Sequence, residues 1–254
     1  MNAYAPIIRE KVDSAALVAG AASLFGRERS DVATLCRRYR VLHEEKGYAR
    51  TLGELKTLCF EEAFLLCVAM ETLRPRSAVE IGTQYGKSTR RILDMIAWLG
   101  VDCRLACFDT VDQVRFFRPA EAELVLTDVT GRFREQVLQA RRPQLIFLDA
   151  HPYPLLKEVI TATMAANDCV LAIHDCGPGL CNPRMTLPRS NPNVTSSTGV
   201  WERHVLAEIH DVDDPLSRKL DDLATPTYHL RIFETPHGLA FLVPRGAEIP
   251  KFGN

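Results

Sequence analysis

Apolar positions along this chain follow two different periods, and the change falls near residue 76. Up to Pro75 the pattern is helical. "SAALVAGAASLF" (14–25) reads as a short apolar helix. "DVATLCRRYRVLHEE" places Val32, Leu35, Cys36, Tyr39 and Leu42 at three-and-four spacing, the signature of one buried helix face. "TLGE" at 51–54 has the Thr-x-x-Glu form of a capping box. It is expected to open a buried helix over the apolar segment 52–73, leading into the main domain.

From Ser77 the apolar runs shorten and alternate with helical stretches. Strands are predicted at about 77–82, 103–109, 123–127, 144–149 and 168–174, and helices at about 86–99, 131–141, 154–166 and 200–210. Runs such as "QLIFLD" and "CVLAIHD" are apolar almost throughout, as in strands covered on both faces. Strand–helix alternation predicts a doubly wound parallel sheet with right-handed crossovers. "YHLRIFETPHGLAFLVP" reads as two more strands joined by a tight Pro-His-Gly turn, hence antiparallel. The expected fold class is therefore α/β. It is a doubly wound, mostly parallel seven-stranded sheet with an antiparallel last strand and an N-terminal helical region. Residues 1–75 form that region, 76–245 the main domain and 246–254 a tail. Residues 176–199, rich in Pro, Gly, Asn and Ser, are expected to be a functional or mobile loop.

Composition narrows the class without naming a function. Hydrophobic residues make up 46% and charged residues 25% of 254, as in soluble globular proteins. Formal charge is −1, so no nucleic-acid footprint is expected, and the basic clusters "GRERS" and "CRRYR" read as a solvated helix face. Early charges and a short apolar run argue against a signal peptide, and no stretch approaches the ~18 apolar residues of a membrane span. Most of the eight cysteines sit in apolar runs, which suits buried thiols in a reducing cytoplasm better than a disulfide framework. The sequon at Asn193 then has no consequence. The apolar N-terminal helices are a candidate homo-oligomer surface.

Polar landmarks fall where the predicted strands end: Glu80 and Gly82, Asp109, Asp128, Asp149, and His174-Asp175. Open parallel sheets bind ligands beyond those carboxyl ends. Glycines at 82 and 86 permit a sharp turn and close approach of a ligand to the backbone. Their Gly-x-x-x-Gly spacing differs from the Gly-x-Gly-x-x-Gly of dinucleotide sites, which disfavours a nicotinamide dehydrogenase. An acid beside this turn repels phosphate and attracts ammonium, and Asp109 is placed to accept from two ribose hydroxyls. An amino-acid end joined to a ribose suggests S-adenosylmethionine.

"VEIGTQYGKST" resembles the first motif of class I S-adenosylmethionine-dependent methyltransferases, closest to the catechol-type and the antibiotic and sugar O-methyltransferases. "ACFD", "LVLTD", "LIFLDAHPYPLLKEV", "VLAIHD" and the closing "RIFETPHGLAFLV" resemble their later segments in order, so the resemblance spans about residues 76–245. It implies a Rossmann-like methyltransferase fold. It also implies a cofactor site with Glu80, Gly82, Thr83, Gln84, Gly86 and Ser88 at the methionine end, Asp109 on ribose and Asp128 near adenine. Asp149 counts among the cofactor contacts as well as the metal ligands.

"FLDAHPY" and "AIHDCG" end neighbouring predicted strands, whose tips lie about 4.8 Å apart. Asp149 and Asp175 offer hard oxygen donors for Mg²⁺ or Ca²⁺, and the histidines would admit Mn²⁺, Fe²⁺ or Zn²⁺. The expected metal ligands are Asp149, Asp175 and His174, with Mg²⁺ as the leading ion. His151 and His174 are the candidate catalytic bases. In the resembling O-methyltransferases, carboxylates at these tips hold a divalent ion that clamps two acceptor hydroxyls. Relatives reading Asp-Gly-Asp-His-Ser-Tyr meet Asp-Ala-His-Pro-Tyr here, one acid fewer. His237 reads as a turn residue. Trp201 and Tyr153 line the acceptor pocket or dock helices, and Cys176 and Cys181 lack the pairing of a zinc site. The acceptor is expected to be a small hydroxyl-bearing molecule (a sugar, natural product or phenol), not a nucleic acid or a membrane.

Two rival classes remain. "DAHPY" with "DVDDP" (211–215) is similar to the metal segments of ureohydrolases, but Tyr153 stands where their second Asp would be. A non-catalytic module that binds an adenosyl ligand is the other.

Overall fold

The computed structural model describes residues 14–53, 58–139, 141–166, 168–178 and 202–245. Glu54 of the expected capping box, Cys181, Asn193, Trp201, most of the 176–199 loop and the 246–254 tail lie outside them.

An eight-stranded sheet runs through the molecule in the order β3-β2-β1-β4-β5-β8-β7-β6. β1 (Ser77–Ile81), β2 (Arg104–Asp109), β3 (Glu123–Leu126), β4 (Gln144–Leu148) and β5 (Cys169–Ile173) are parallel. β8 (Leu239–Pro244) pairs antiparallel with β5 and with β7 (Tyr228–Phe233). The expected mostly parallel sheet with a reversed last strand is present. One element was not legible: β6 (Asp222–Ala224), a three-residue edge strand too short to carry a period, raises the count from seven to eight.

Side-chain alternation sorts the sheet into two cores. Ala78, Cys107, Phe147, Ala172 and Phe241 face one side. There they meet α1 (Ser14–Phe25), α2 (Arg29–Lys46), α3 (Phe60–Leu73) and α4 (Lys87–Leu99). Val79, Phe108, Ile146, Leu171 and Leu242 face the other. They meet α5 (Phe133–Gln136), α6 (Tyr153–Met164) and α7 (Glu202–Ile209). The N-terminal helices thus share a core with the strands, as in the edge-on pair Phe25–Phe241, with centroids 5.4 Å apart.

Two local expectations are corrected. The long helix begins at Phe60, where Glu62 Oε2 accepts from the Cys59 backbone N–H at 2.9 Å. The helix expected over 131–141 is only four residues, Phe133–Gln136. The basic face of α2 is solvated as expected, with Arg37, Arg38 and Arg40 exposed, Arg38 lying over Trp98 and Arg40 over Phe60. Among the described residues no helix is long and apolar enough to cross a membrane, and all seven described cysteines are unpaired.

Candidate active site

The parallel strands bring their carboxyl ends to one edge, and two stations sit there. The first is the turn between β1 and α4. Gly82 has φ +92°, and a Cβ on it would lie 2.3 Å from the Asp149 carbonyl oxygen. Glycine is therefore required by the approach of the β4 exit, whatever a ligand demands. Gln84 is left-handed at φ +48° and Gly86 at φ +80°, where a Cβ would meet the Phe117 ring at 2.7 Å.

Asp109 ties this turn to the exit of β2. Its Oδ2 accepts from Gln84 N at 2.7 Å, and its Oδ1 from Thr110 N at 2.7 Å and Val111 N at 3.1 Å. A carboxylate has about four lone-pair sites, so roughly one remains for a ligand. Asp128 is exposed, and its Oδ1 accepts from Thr130 N at 2.9 Å, which holds its pKa below the usual value. It forms a local turn and caps no helix. Two residues that motif reading passed over stand beside these acids. Val111 and Leu126 are exposed at 52% and 53%, and Leu126 is the register partner of Asp109.

Glu80 turns inward, beneath the turn. It is fully buried, and the Thr89 hydroxyl donates to its Oε2. Burial, helped by the nearby Asp149 charge, pushes its pKa up to about 7 against the lowering effect of the Ser88, Thr89 and Cys107 side chains. Ser88 is thus drawn into the same buried cluster. Glu80 Oε1 and the Thr83 hydroxyl are buried without a partner. Unmatched buried polar atoms of this kind are costly and call for a partner.

The second station lies at the exits of β4 and β5. His174 is 6% exposed and both its ring nitrogens are engaged: Nδ1 with Asp149 Oδ1 at 3.0 Å and Asp175 Oδ1 at 3.3 Å, Nε2 with Glu62 Oε2 at 3.2 Å. Burial disfavours its charge, yet Asp149, Asp175 and Glu62 hold its pKa well above the ordinary value. Burial and the engagement of both ring nitrogens leave this ring no free donor in the observed arrangement, which argues against both roles expected of it.

His151 takes the exposed position. Its Nδ1 lies 2.7 Å from Glu202 Oε1, and its Nε2 lies 3.8 Å from Asp175 Oδ2. Burial opposes its charge, but the Glu202 hydrogen bond and the Asp149 and Asp175 carboxylates raise its pKa to about 9. One ligand atom each from Asp149, His151 and Asp175 lie within 4.8 Å of one another. Asp175 itself is left-handed at φ +59°.

Glu62 is the functional residue the sequence hid. It is completely buried on α3 and accepts from Cys59 N, Thr235 Oγ1, His237 N and His237 Nδ1 as well as facing His174. Burial would raise its pKa, but His174 and His237 hold it well below the usual range. Its signal was an acid inside the apolar run "CFEEAFLLC". Cys59, Glu62 and His237 also have metal-compatible spacing, but Glu62 is consumed by those hydrogen bonds and burial keeps the Cys59 thiol protonated. His237 sits in the turn, as expected. Tyr153 is buried and donates to Glu208 on α7, so it docks helices.

No protein-family model matches the sequence, and no curated protein does. Solved structures do. An O-methyltransferase from Bacillus cereus in complex with S-adenosylhomocysteine is 10% identical, with 90% of this chain and 97% of that one covered and a TM-score of 0.47. The O-methyltransferase TomG from Streptomyces achromogenes, in complex with S-adenosylmethionine, is 16% identical over 91% and 96%, with a TM-score of 0.45. CmcI bound to Mg²⁺ and S-adenosylmethionine is 16% identical over 70% and 69%, with a TM-score of 0.43. At such identities chemistry has to be read from the residues themselves.

The edge therefore gathers Gly82, Thr83, Gln84, Gly86, Asp109 and Asp128 around one station and Asp149, His151 and Asp175 around the other. Glu80, Ser88 and His174 lie behind them as buried supports. "DVDDP" follows α7 in a turn, where Asp214 Oδ1 accepts from Leu216 N at 2.8 Å.

Proposed function

We propose that the chain is an S-adenosylmethionine-dependent O-methyltransferase acting on a small hydroxyl-bearing molecule, with a divalent ion at the β4–β5 exits. The observation that carries this reading is the adjacency of two unlike stations: the Gly82 backbone packs directly against the Asp149 carbonyl, so the cradle and the carboxylate pair share a wall.

The cofactor supplies an electrophilic methyl group on a sulfonium. Residues 82–86 would hold its amino-acid end over the unmatched Glu80 Oε1 and Thr83 hydroxyl. Asp109 would accept from the ribose, and the exposed side chains of Val111 and Leu126, next to Asp128, offer an apolar rest for a purine. The ion, held by Asp149 and Asp175, supplies a Lewis acid that favours the acceptor's oxyanion. His174 fixes the Asp149 carboxylate by hydrogen bonding, so it does not swing when the site fills. Both histidines turn a ring nitrogen toward the carboxylate pair, but His174 is sealed at 6% exposure while the His151 side chain is 33% exposed and lies on the open side. Holding the nucleophile in line with the methyl group can contribute on the order of 7–11 kcal/mol without any covalent enzyme intermediate.

Calorimetric titration with S-adenosylmethionine, followed by a methyl-transfer assay over a panel of diols and phenols, tests the reading. Asp109→Ala removes the acceptor of three backbone N–H groups and should weaken cofactor binding by roughly 100-fold, given ~1.5–3 kcal/mol for each charged hydrogen bond. Asp175→Ala should bind the cofactor normally and lose turnover. A folded wild-type chain that gives no heat with the cofactor ends this reading. Binding without transfer to any acceptor would favour the non-catalytic module.

A further inference from the structure

We propose that His151 is a ligand of the ion, so that the centre is a one-nitrogen, two-carboxylate site that selects Mn²⁺ or Fe²⁺ over Mg²⁺. The inference rests on Asp149 and Asp175 being metal ligands, as in the reading above, and assigns the one donor that reading leaves open.

Distances point to this. The His151 Nε2 to Asp175 Oδ2 separation, 3.8 Å, is too long for a hydrogen bond. It lies within the range two donors of one ion can span: with bonds of about 2.1 Å, neighbouring donors lie about 3 Å apart and opposite ones about 4 Å. A ligand atom of Asp149 lies within 4.8 Å of both.

Ring orientation gives a second, independent argument. Glu202 is 1% exposed and accepts at Nδ1, leaving Nε2 toward the carboxylates. A buried carboxylate behind a histidine is the usual outer support of a metal-binding imidazole. The helix end that carries Glu202 is anchored by the next residue. Arg203 on α7, 2% exposed, donates to the Cys176 carbonyl at 3.3 Å and to Asp221 Oδ1 at 2.9 Å. One helix end thereby grips both His151 and the residue that follows Asp175. The Asp149 carboxylate is backed by His174, which is backed by Glu62. His174 Nδ1 also lies 3.3 Å from Asp175 Oδ1, so each donor of the triad has an outer partner, and Asp175 has in addition a left-handed backbone.

The chemical consequence is ion choice. Mg²⁺ prefers all-oxygen shells and retains water, whereas imidazole nitrogen suits the borderline first-row ions. A ring nitrogen bound to the ion is also unavailable as a proton acceptor, so His151 positions the acceptor through the ion and is not its base.

The test uses the full chain loaded with Mn²⁺ alone, with neither cofactor nor acceptor present. Pulsed electron paramagnetic resonance should show ¹⁴N coupling from one directly bound imidazole, and ¹⁵N-histidine labelling should shift it. His151→Asn should abolish the coupling, and His174→Gln should retain it. By calorimetry, His151→Asp should reduce the Mn²⁺ over Mg²⁺ preference by about tenfold or more, and Glu202→Gln should weaken Mn²⁺ binding by about 10–100-fold. Bound Mn²⁺ without nitrogen coupling in the wild-type chain overturns the proposal, as does coupling that persists in His151→Asn or a failure to bind Mn²⁺ at all. The labelled wild-type spectrum decides even if a variant misfolds. Failure of the methyltransferase reading registers elsewhere, as absent cofactor binding with the nitrogen coupling intact.

Discussion

Glu80 shows what burial does to a single group. Its carboxyl holds a proton to about pH 7 in the folded chain, against an ordinary value of 4.5. Between those values the folded state binds more protons than the unfolded one, so stability falls as pH rises. The loss amounts to about 3 kcal/mol once pH passes 7. Glu80→Gln keeps an acceptor for Thr89 and carries no titrating proton. The slope of stability against pH between 5 and 7, from urea unfolding, should flatten in that variant. A variant with the wild-type slope would place the titrating group elsewhere.

At the scale of elements, strand exits are held to one another by backbone contacts, with side chains added on top. Gly82 N donates to the Phe108 carbonyl at 2.9 Å, and Asp149 N to the Ile81 carbonyl at 2.8 Å. These bonds stitch β1 to β2 and to β4 just where the ligand stations begin. Gly82→Ala places a methyl against the Asp149 carbonyl and forces an L side chain to φ +92°. The expected cost is about 1–3 kcal/mol in urea unfolding, together with weakened metal binding, because Asp149 must move. Gly86→Ala is also strained by φ +80°, but its methyl meets the Phe117 ring, a side chain that can shift, where a methyl at Gly82 would meet backbone. It should therefore cost less, and metal affinity should be unchanged.

Across the whole molecule, Glu62 makes the N-terminal helices part of the site. Its carboxylate joins α3 to His174 at the β5 exit and to His237 in the β7–β8 turn. That turn is pressed onto the β5 exit, since Gly177 N donates to the His237 carbonyl at 2.7 Å and Cys176 N to the Gly238 carbonyl at 3.0 Å. Removing one partner of a buried, charge-assisted network costs about 3–5 kcal/mol. Glu62→Ala should lose about that much stability in a single transition, with circular dichroism and fluorescence coincident, because helices and sheet share one core. A helical region that melted separately would refute this coupling.

Periodicity alone made most of the architecture legible. The apolar runs of β4 and β5 announce strands covered on both faces, and the three-and-four spacing in α2 announces a helix with one buried face, because burial leaves its period in local sequence. Asp109, Asp149, His151 and Asp175 were legible as candidates for a related reason. A titratable group at the tip of an apolar strand is costly to bury unpaired, so it stands out against the run it ends. Their partners were not legible. His151 meets Glu202 across 51 positions, and His174 meets Glu62 across 112. Such pairings depend on which crossover lays which helix over which strand exit, and no local period records that. The chain's own residue order determined the sheet and the edge where ligands belong. Only the folded layers decided that His174 would be sealed between carboxylates, leaving His151 to face the open edge.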